Sequence, residues 1–203
     1  FNKKILKHLH VPTLNNKDLK FIKNTVTKNE VSTYGTATLK FEKKLKKYYK
    51  SPYVISTNNG TSAMHSILFC LNLNKNDEVF VQSLTFVGSV NPILYVGANP
   101  HFVDCEKTNL CLDVEKLEQY IEKNFDLKKR GLFNKKSKRY VRAIIVTHIF
   151  GMSPNMTKLK LLCKKYKLIL IEDAAESIGS KFNGKHLGTF GSFSIVSFNG
   201  NKI

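Results

Sequence analysis

No apolar stretch in this chain approaches the roughly 18 residues that a membrane-spanning helix needs. The longest apolar runs, such as residues 143–146 and 168–171, suit buried strands instead. The start, FNKKILKHLHVP, has no apolar secretory segment and no small-residue cleavage site, so the cytoplasm is the expected location. Cysteine is sparse: Cys70, Cys105, Cys111 and Cys163 show no spacing typical of zinc or redox sites, and Cys70 in SILFCLNL reads as a buried thiol. No metal site is expected. There is no internal repeat, no low-complexity linker, no P-loop ending in Gly-Lys-Ser/Thr and no GxGxxG fingerprint. Arginine is the scarcest charged residue. Of 33 basic residues only Arg130, Arg139 and Arg142 are arginine. Phosphate and base readers favour arginine for its two-pronged fork, so the net charge of +18 is weak support for nucleic-acid binding. The densest patch, residues 128–142, is expected to be a solvated loop, with a polyanion-binding module as the competing reading.

What is present fits one sizeable globular domain: 203 residues, 42% hydrophobic, with 11 glycines. Asn15 or Asn16 can cap a helix running to Lys28, with Leu19, Ile22 and Val26 on its inner face. A second amphipathic helix is expected over residues 38–48, with Leu39, Phe41 and Leu45 inward. Further helices are expected over 86–95, 114–123 and 156–166, and one opens within NNGTSAMHSILFCL. Strands are expected at 53–56, 79–82, 101–104, 141–148, 168–172 and 193–198, with a polar loop over 124–140. Short β-rich runs separated by helices of about ten residues predict an α/β fold: a mostly parallel sheet with helices on both faces. Ligands in such folds gather at the carboxyl ends of the strands.

The residues that follow each strand therefore carry the functional argument. Asn58-Asn59-Gly60-Thr61-Ser62 joins a tight turn to a helix start, where free amides and two hydroxyls suit a phosphate. Phe86 follows the next strand and can stack on a flat heterocycle. The strand LILIEDAAES delivers Glu172 and Asp173 to the sheet edge, pointing to opposite sides. A partly buried carboxylate there needs a cationic or hydrogen-bonded partner. Lys202 comes 29 residues after Asp173, just past the strand SFSIVSF. A phosphate turn, a stackable ring, a buried acid and a lysine together are what pyridoxal 5'-phosphate (PLP) requires. His148 and His186 read as a core or loop residue and a surface residue, and Gly184, Gly188 and Gly191 as turn formers.

In wording and order, VSTYGTATLKFEKKL, NNGTSAMHSIL, NDEVFVQSLTFVGSVNPILYVGANPHFVDC, IEDAAESIGSKFNGKHLGTFGSFSIVSF and NGNKI resemble the DegT/DnrJ/EryC1/StrS family of PLP-dependent sugar aminotransferases. The EDAAES and SFNGNKI wording is most similar to the LegC-like branch, which acts on UDP-linked 4-keto-6-deoxy-N-acetylhexosamines. The resemblance implies a fold like the large domain of aspartate aminotransferase. It makes Lys202 the cofactor-bearing, proton-moving catalytic residue and Asp173 the partner of the pyridine nitrogen. Thr61, Ser62 and Ser197 become phosphate ligands, Phe86 the ring stacked on the cofactor, and Glu176 the neighbour of its phenolic oxygen. Tyr34-Gly35 falls where the family approaches its nucleotide sugar. A branch with histidine in place of the lysine dehydrates its substrate, so Lys202 implies transamination, with glutamate as donor. The implied partners are a nucleotide sugar, an amino-acid donor and a second copy of the chain, with neither nucleic acid nor membrane. Relatives are about twice as long, so residues 1–203 are expected to be the N-terminal part of the cofactor-binding large domain. The small domain would be absent and the stretch alone inactive. A catalytically silent family member is the remaining alternative.

Overall fold

The computed structural model describes residues 12–32 and 35–202. Tyr34 and Ile203 therefore lie outside the described residues. The chain divides into two units, Phe1–Ser56 with Phe198–Ile203 and Thr57–Ser197.

The first unit holds two helices, α1 (Asn16–Thr27) and α2 (Thr36–Tyr49). Asn15 caps α1 as its sequence predicts: its side chain accepts from the Lys17 and Asp18 amides, and Asp18 answers by accepting from the Asn15 amide at 2.9 Å. The inward faces are a correction. Leu19, Ile22 and Val26 are each more than half exposed, as are Tyr53 and Ile55; Leu39 and Phe41 are also exposed, and Tyr49 is the one buried residue of α2. Helical periodicity specifies a stripe, and burial also needs a partner for it. Residues 53–56 form no strand. The Ser56 amide donates to the Glu42 carboxylate at 2.7 Å, so a side chain satisfies it where a ladder was expected.

The second unit contains α3 (Gly60–Cys70), β1 (Asp77–Gln82), α4 (Val87–Tyr95), β2 (Asn99–Val103) and α5 (Val114–Asn124). There follow β3 (Phe125–Lys128), β4 (Gly131–Asn134), β5 (Tyr140–Thr147), a 3-10 turn (Ile149–Gly151) and α6 (Met156–Tyr166). The unit ends with β6 (Ile169–Asp173), the two-residue pair β7 (Lys181–Phe182) and β8 (Lys185–His186), and β9 (Phe193–Ile195). Strands β2, β1, β5, β6 and β9 lie side by side, all parallel. The expected polar loop at 124–140 is instead the antiparallel hairpin β3–β4. It joins the sheet alongside the first residues of β5, Leu132 opposite Val141 and Phe133 opposite Tyr140.

Alternation along the strands sorts the core into two layers. Val79, Val81, Ala143, Ile145, Ile171 and Ile195 pack with Met64, Leu68 and Ile93 of α3 and α4. Phe80, Ile144, Val146 and Leu170 pack with Leu117 and Ile121 of α5 and Leu159 and Leu162 of α6. The mostly parallel sheet with helices on both faces is thus as expected. Cys70 is not: it is exposed at the end of α3, while Leu68 two residues earlier is fully buried. No described helix is long and apolar enough to cross a membrane.

Candidate active site

Asp173 ends β6 on the face that carries α3 and α4, two residues on from Ile171 of that core layer. It is almost fully buried. One carboxylate oxygen accepts from the Ala175 amide at 3.1 Å and the other from the Ser89 hydroxyl of α4. Ser89 in turn accepts from the Thr85 hydroxyl at 3.1 Å, and Thr85 pairs with the Thr147 hydroxyl at 2.7 Å. Each hydroxyl has a single proton to give. Since Thr85 gives its proton to Ser89, Thr147 must donate to Thr85, and the chain runs Thr147 to Thr85 to Ser89 to Asp173. Every proton points toward the carboxylate, which can only accept. Gln82 holds the start of the chain, taking the Thr147 amide on its side-chain oxygen at 3.1 Å. The ends of β1, β5 and β6 are thereby locked to one acid.

Next to this chain, two helix starts meet. In α3 the Asn59 side chain accepts the Ser62 amide at 2.8 Å, and the first amides of a helix have no intrahelical acceptor. Gly88, in the first turn of α4, has no room for a side chain. A Cβ there would lie 2.8 Å from the Thr61 hydroxyl oxygen and 2.9 Å from the Phe86 ring. Phe86 caps α4 and is two-thirds exposed, so its ring is offered outward. A Cβ on Gly60 would touch Ile195 of β9 at 3.4 Å, and Ser197, half-buried, leaves the sheet two residues beyond that corner.

Glu176 lies in the turn after β6 and accepts the Phe150 amide at 3.1 Å, fastening the turn that follows β5. Glu172 takes the opposite face from Asp173. It accepts from His148 at 2.9 Å and from the amides of Gly188, Phe190 and Gly191 at 2.7, 2.5 and 2.6 Å. His148 is fully buried; its Nε2 faces Glu172, and its Nδ1 has no partner among the described residues. His186 is half-buried on β8, rather than on the open surface. Gly184 and Gly188 adopt positive φ, as turn formers do, whereas Gly191 is needed for close approach: a Cβ would sit 2.6 Å from the Leu170 carbonyl oxygen.

Of the residues singled out from sequence, Thr61, Ser62, Phe86, Asp173 and Ser197 come to the carboxyl edge of the sheet on the α3–α4 side. Lys202 is not among the residues this unit brings together. It is half-buried in a turn closed by its amide on the Asn199 carbonyl at 2.8 Å, within the unit of α1 and α2. Sequence reasoning missed Gln82, Thr85, Gly88, Ser89 and Thr147. The available signal was Thr85 and Ser89, hydroxyls four residues apart at the start of a helix, which place both on one side of it.

Residues 12–203 match the DegT/DnrJ/EryC1/StrS aminotransferase family. The chain is 35% identical over 194 residues to the GDP-perosamine synthase of Escherichia coli O157:H7, an alignment covering 96% of this chain and 49% of that protein. A solved DegT DnrJ EryC1 StrS aminotransferase from Brucella abortus superposes with a TM-score of 0.79 at 28% identity, over 94% of this chain and 50% of that one. The E. coli GDP-4-keto-6-deoxy-D-mannose-3-dehydratase with bound hydrated PLP shares the fold, with a TM-score of 0.73 at 24% identity over 91% and 46% of the two chains. The chain spans about half the length of the curated relatives it matches.

Proposed function

The chain belongs to the DegT/DnrJ/EryC1/StrS aminotransferase family, and from that premise we propose that it is the cofactor-binding part of a nucleotide-sugar aminotransferase. The reaction would pass an amino group from glutamate to the 4-keto carbon of the sugar. PLP is the cofactor of the family's aminotransferases, and the donor set here fits it. Gly88, having no side chain, lets the Thr61 hydroxyl and the exposed Phe86 ring come close together beside a buried acid that accepts hydrogen bonds. That directed hydroxyl chain onto Asp173 is the observation that carries the proposal.

When bound, PLP supplies an electron sink for the charge left when a proton leaves the substrate carbon. Asp173 would hold a proton at the ring nitrogen, and the hydroxyl chain would keep its carboxylate oriented for that task. The α3 amides with Thr61, Ser62 and Ser197 would hold the phosphate. Phe86 would cover one ring face and exclude water from it. Lys202 would carry the cofactor through its Nζ and supply the amine that moves a proton to and from the substrate carbon. Glu176, which fixes the Phe150 turn, would stand near the phenolic oxygen. A lysine at position 202 supports transamination over dehydration.

The EDAAES and SFNGNKI wording supports a UDP-linked 4-keto-6-deoxy-N-acetylhexosamine as acceptor, with a GDP-linked sugar as the competitor that the perosamine synthase suggests. The proposed setting is the cytoplasm, and the proposed assembly is a homodimer of the intact protein. The test is the intact protein incubated with glutamate and each keto-sugar. Visible absorbance that borohydride abolishes, loss of that absorbance in Lys202→Ala, and 2-oxoglutarate release with the UDP sugar support the proposal. A colourless protein, or one that releases no 2-oxoglutarate with any keto-sugar, overturns it.

A further inference from the structure

All three arginines of the chain lie in one short region, the β3–β4 hairpin and its exit into β5. Residues 128–142 contain eight basic residues and no acid. Folding changes what this means. Phe125 and Leu132 anchor the hairpin in the core, and four register pairs run from Phe125–Asn134 to Lys128–Gly131, so the turns that carry most of its cations are tied to the sheet. Three lysines elsewhere in the same unit are matched by acids: Lys116 by Asp113 at 3.3 Å, Lys158 by Glu115, and Lys165 by Glu118 at 2.7 Å and Glu122 at 3.1 Å. On the hairpin, the acid contacts among the described residues are Lys135 with Asp126 at 3.5 Å and Arg142 with Asp77 at 3.8 Å. Lys128, Lys129, Arg130, Lys136 and Lys138 have none.

Protection of an edge strand accounts for a lysine on β3 but not for the cations in both flanking turns. Two features define the partner. First, the hairpin's rings are covered by its own cations: Lys128 Nζ lies 3.4 Å from the Phe133 ring centre, and Arg130 lies 4.9 Å from that of Tyr140. Those faces are closed to stacking by a nucleobase. Second, Leu127 is half exposed directly beside Lys128, Lys129 and Arg130 at the hairpin tip. An exposed apolar side chain next in sequence to three cations has no counterpart on a phosphodiester backbone, but it matches the boundary between lipid phosphates and acyl chains.

We propose that the β3–β4 hairpin is a peripheral docking surface for an anionic lipid bilayer: its cations engage headgroup phosphates and Leu127 enters the headgroup layer. The hairpin flanks the first residues of β5, whereas Thr147 and His148 lie at the strand's other end, so docking leaves the sheet's carboxyl edge open. The inference does not rest on the aminotransferase proposal.

The test is co-sedimentation of the intact protein with phosphatidylcholine vesicles, with and without phosphatidylglycerol. Binding should require phosphatidylglycerol and vanish at high salt. Replacing the three tip cations together (Lys128→Gln, Lys129→Gln, Arg130→Gln) should weaken it on the order of a hundredfold, given the attraction per basic residue near such a surface. Replacing three exposed lysines of α2 (Lys43→Gln, Lys44→Gln, Lys47→Gln) should leave it nearly unchanged, and thermal melts confirm that both variants fold. Absence of vesicle binding, or equal loss in the two variants, overturns the proposal. So does tip-dependent binding to duplex DNA or RNA by a protein that ignores vesicles. Aminotransfer rates in solution should be the same for the tip variant and the parent, which keeps this test separate from the activity assay.

Discussion

Glu172 and Asp173 are consecutive on β6 and are committed to opposite faces of the sheet. Glu172 gathers His148 and three amides of the 188–191 loop, while Asp173 terminates the hydroxyl chain from Thr147. One acid fixes the path toward β9 and the other faces α3 and α4. Their separation allows each to be perturbed alone.

Ser89→Ala removes the hydroxyl donor to a buried carboxylate and the acceptor for Thr85. We expect a stability loss of about 1–3 kcal/mol in urea unfolding of the intact protein. Cofactor absorbance should survive with weakened affinity. Asp173→Asn should remove most turnover while the protein stays folded, and full activity in that variant would refute the assigned role.

Glu172→Gln turns an amide NH2 toward donors that now converge on two carboxylate oxygens. At least one buried amide or the imidazole then loses its acceptor, at a cost of about 2–4 kcal/mol. Hydrogen exchange should quicken first at Gly188, Phe190 and Gly191. Uniform exchange across the sheet would contradict this.

Two glycine substitutions should separate folding from binding. Gly191→Ala meets a backbone carbonyl and should destabilise the protein by about 1–3 kcal/mol or more. Gly88→Ala meets a hydroxyl and a ring that can shift, so stability should fall less. Its effect should appear in PLP affinity, measured by titration of the apo-protein.

Glu78 gives a pH dependence of definite sign. Burial pushes its carboxyl up, but hydrogen bonds from His101, Ser137 and Asn134 and the charge of His101 outweigh burial, so the pKa lies below its ordinary 4.5. A depressed carboxyl stabilises the fold above 4.5 and loses that contribution as pH falls through the native value. Unfolding free energy should therefore drop with acidification in that range, and Glu78→Gln should flatten the slope.

The cysteines should label in an order set by burial. Burial pushes Cys111 up to about 11, helped by Glu106 and Cys105, and pushes Cys163 up to about 12. Cys70 is exposed. A thiol reagent applied briefly to the native protein should modify Cys70 before Cys111 or Cys163, read by peptide mass spectrometry.

What the sequence made legible was local. Asn15 with Asp18 announces the start of α1, and the β-branched runs of β1, β5 and β6 announce a buried parallel sheet. Relations between distant segments were hidden. The apolar stripes of α1 and α2 are real, but a stripe does not name what covers it. The β3–β4 hairpin escaped notice because its few apolar residues, Phe125, Leu127, Leu132 and Phe133, are scattered through a polar and basic stretch, and only the insertion of Phe125 and Leu132 into the core reveals the strands. At the carboxyl edge of the sheet, strand-end position and residue type singled out Asp173, Phe86 and Thr61 as candidates. Thr147 and Ser89 became visible only when the register set Thr147 beside Asp173.

Strand β9 has three residues and, among the described residues, pairs with β6 alone. Its outer rim is a row of backbone donors and acceptors open to whichever strand arrives first. For residues 1–203 produced in isolation, that strand would come from another copy. Protein concentration, more than heat, would then govern whether such a preparation stays in solution.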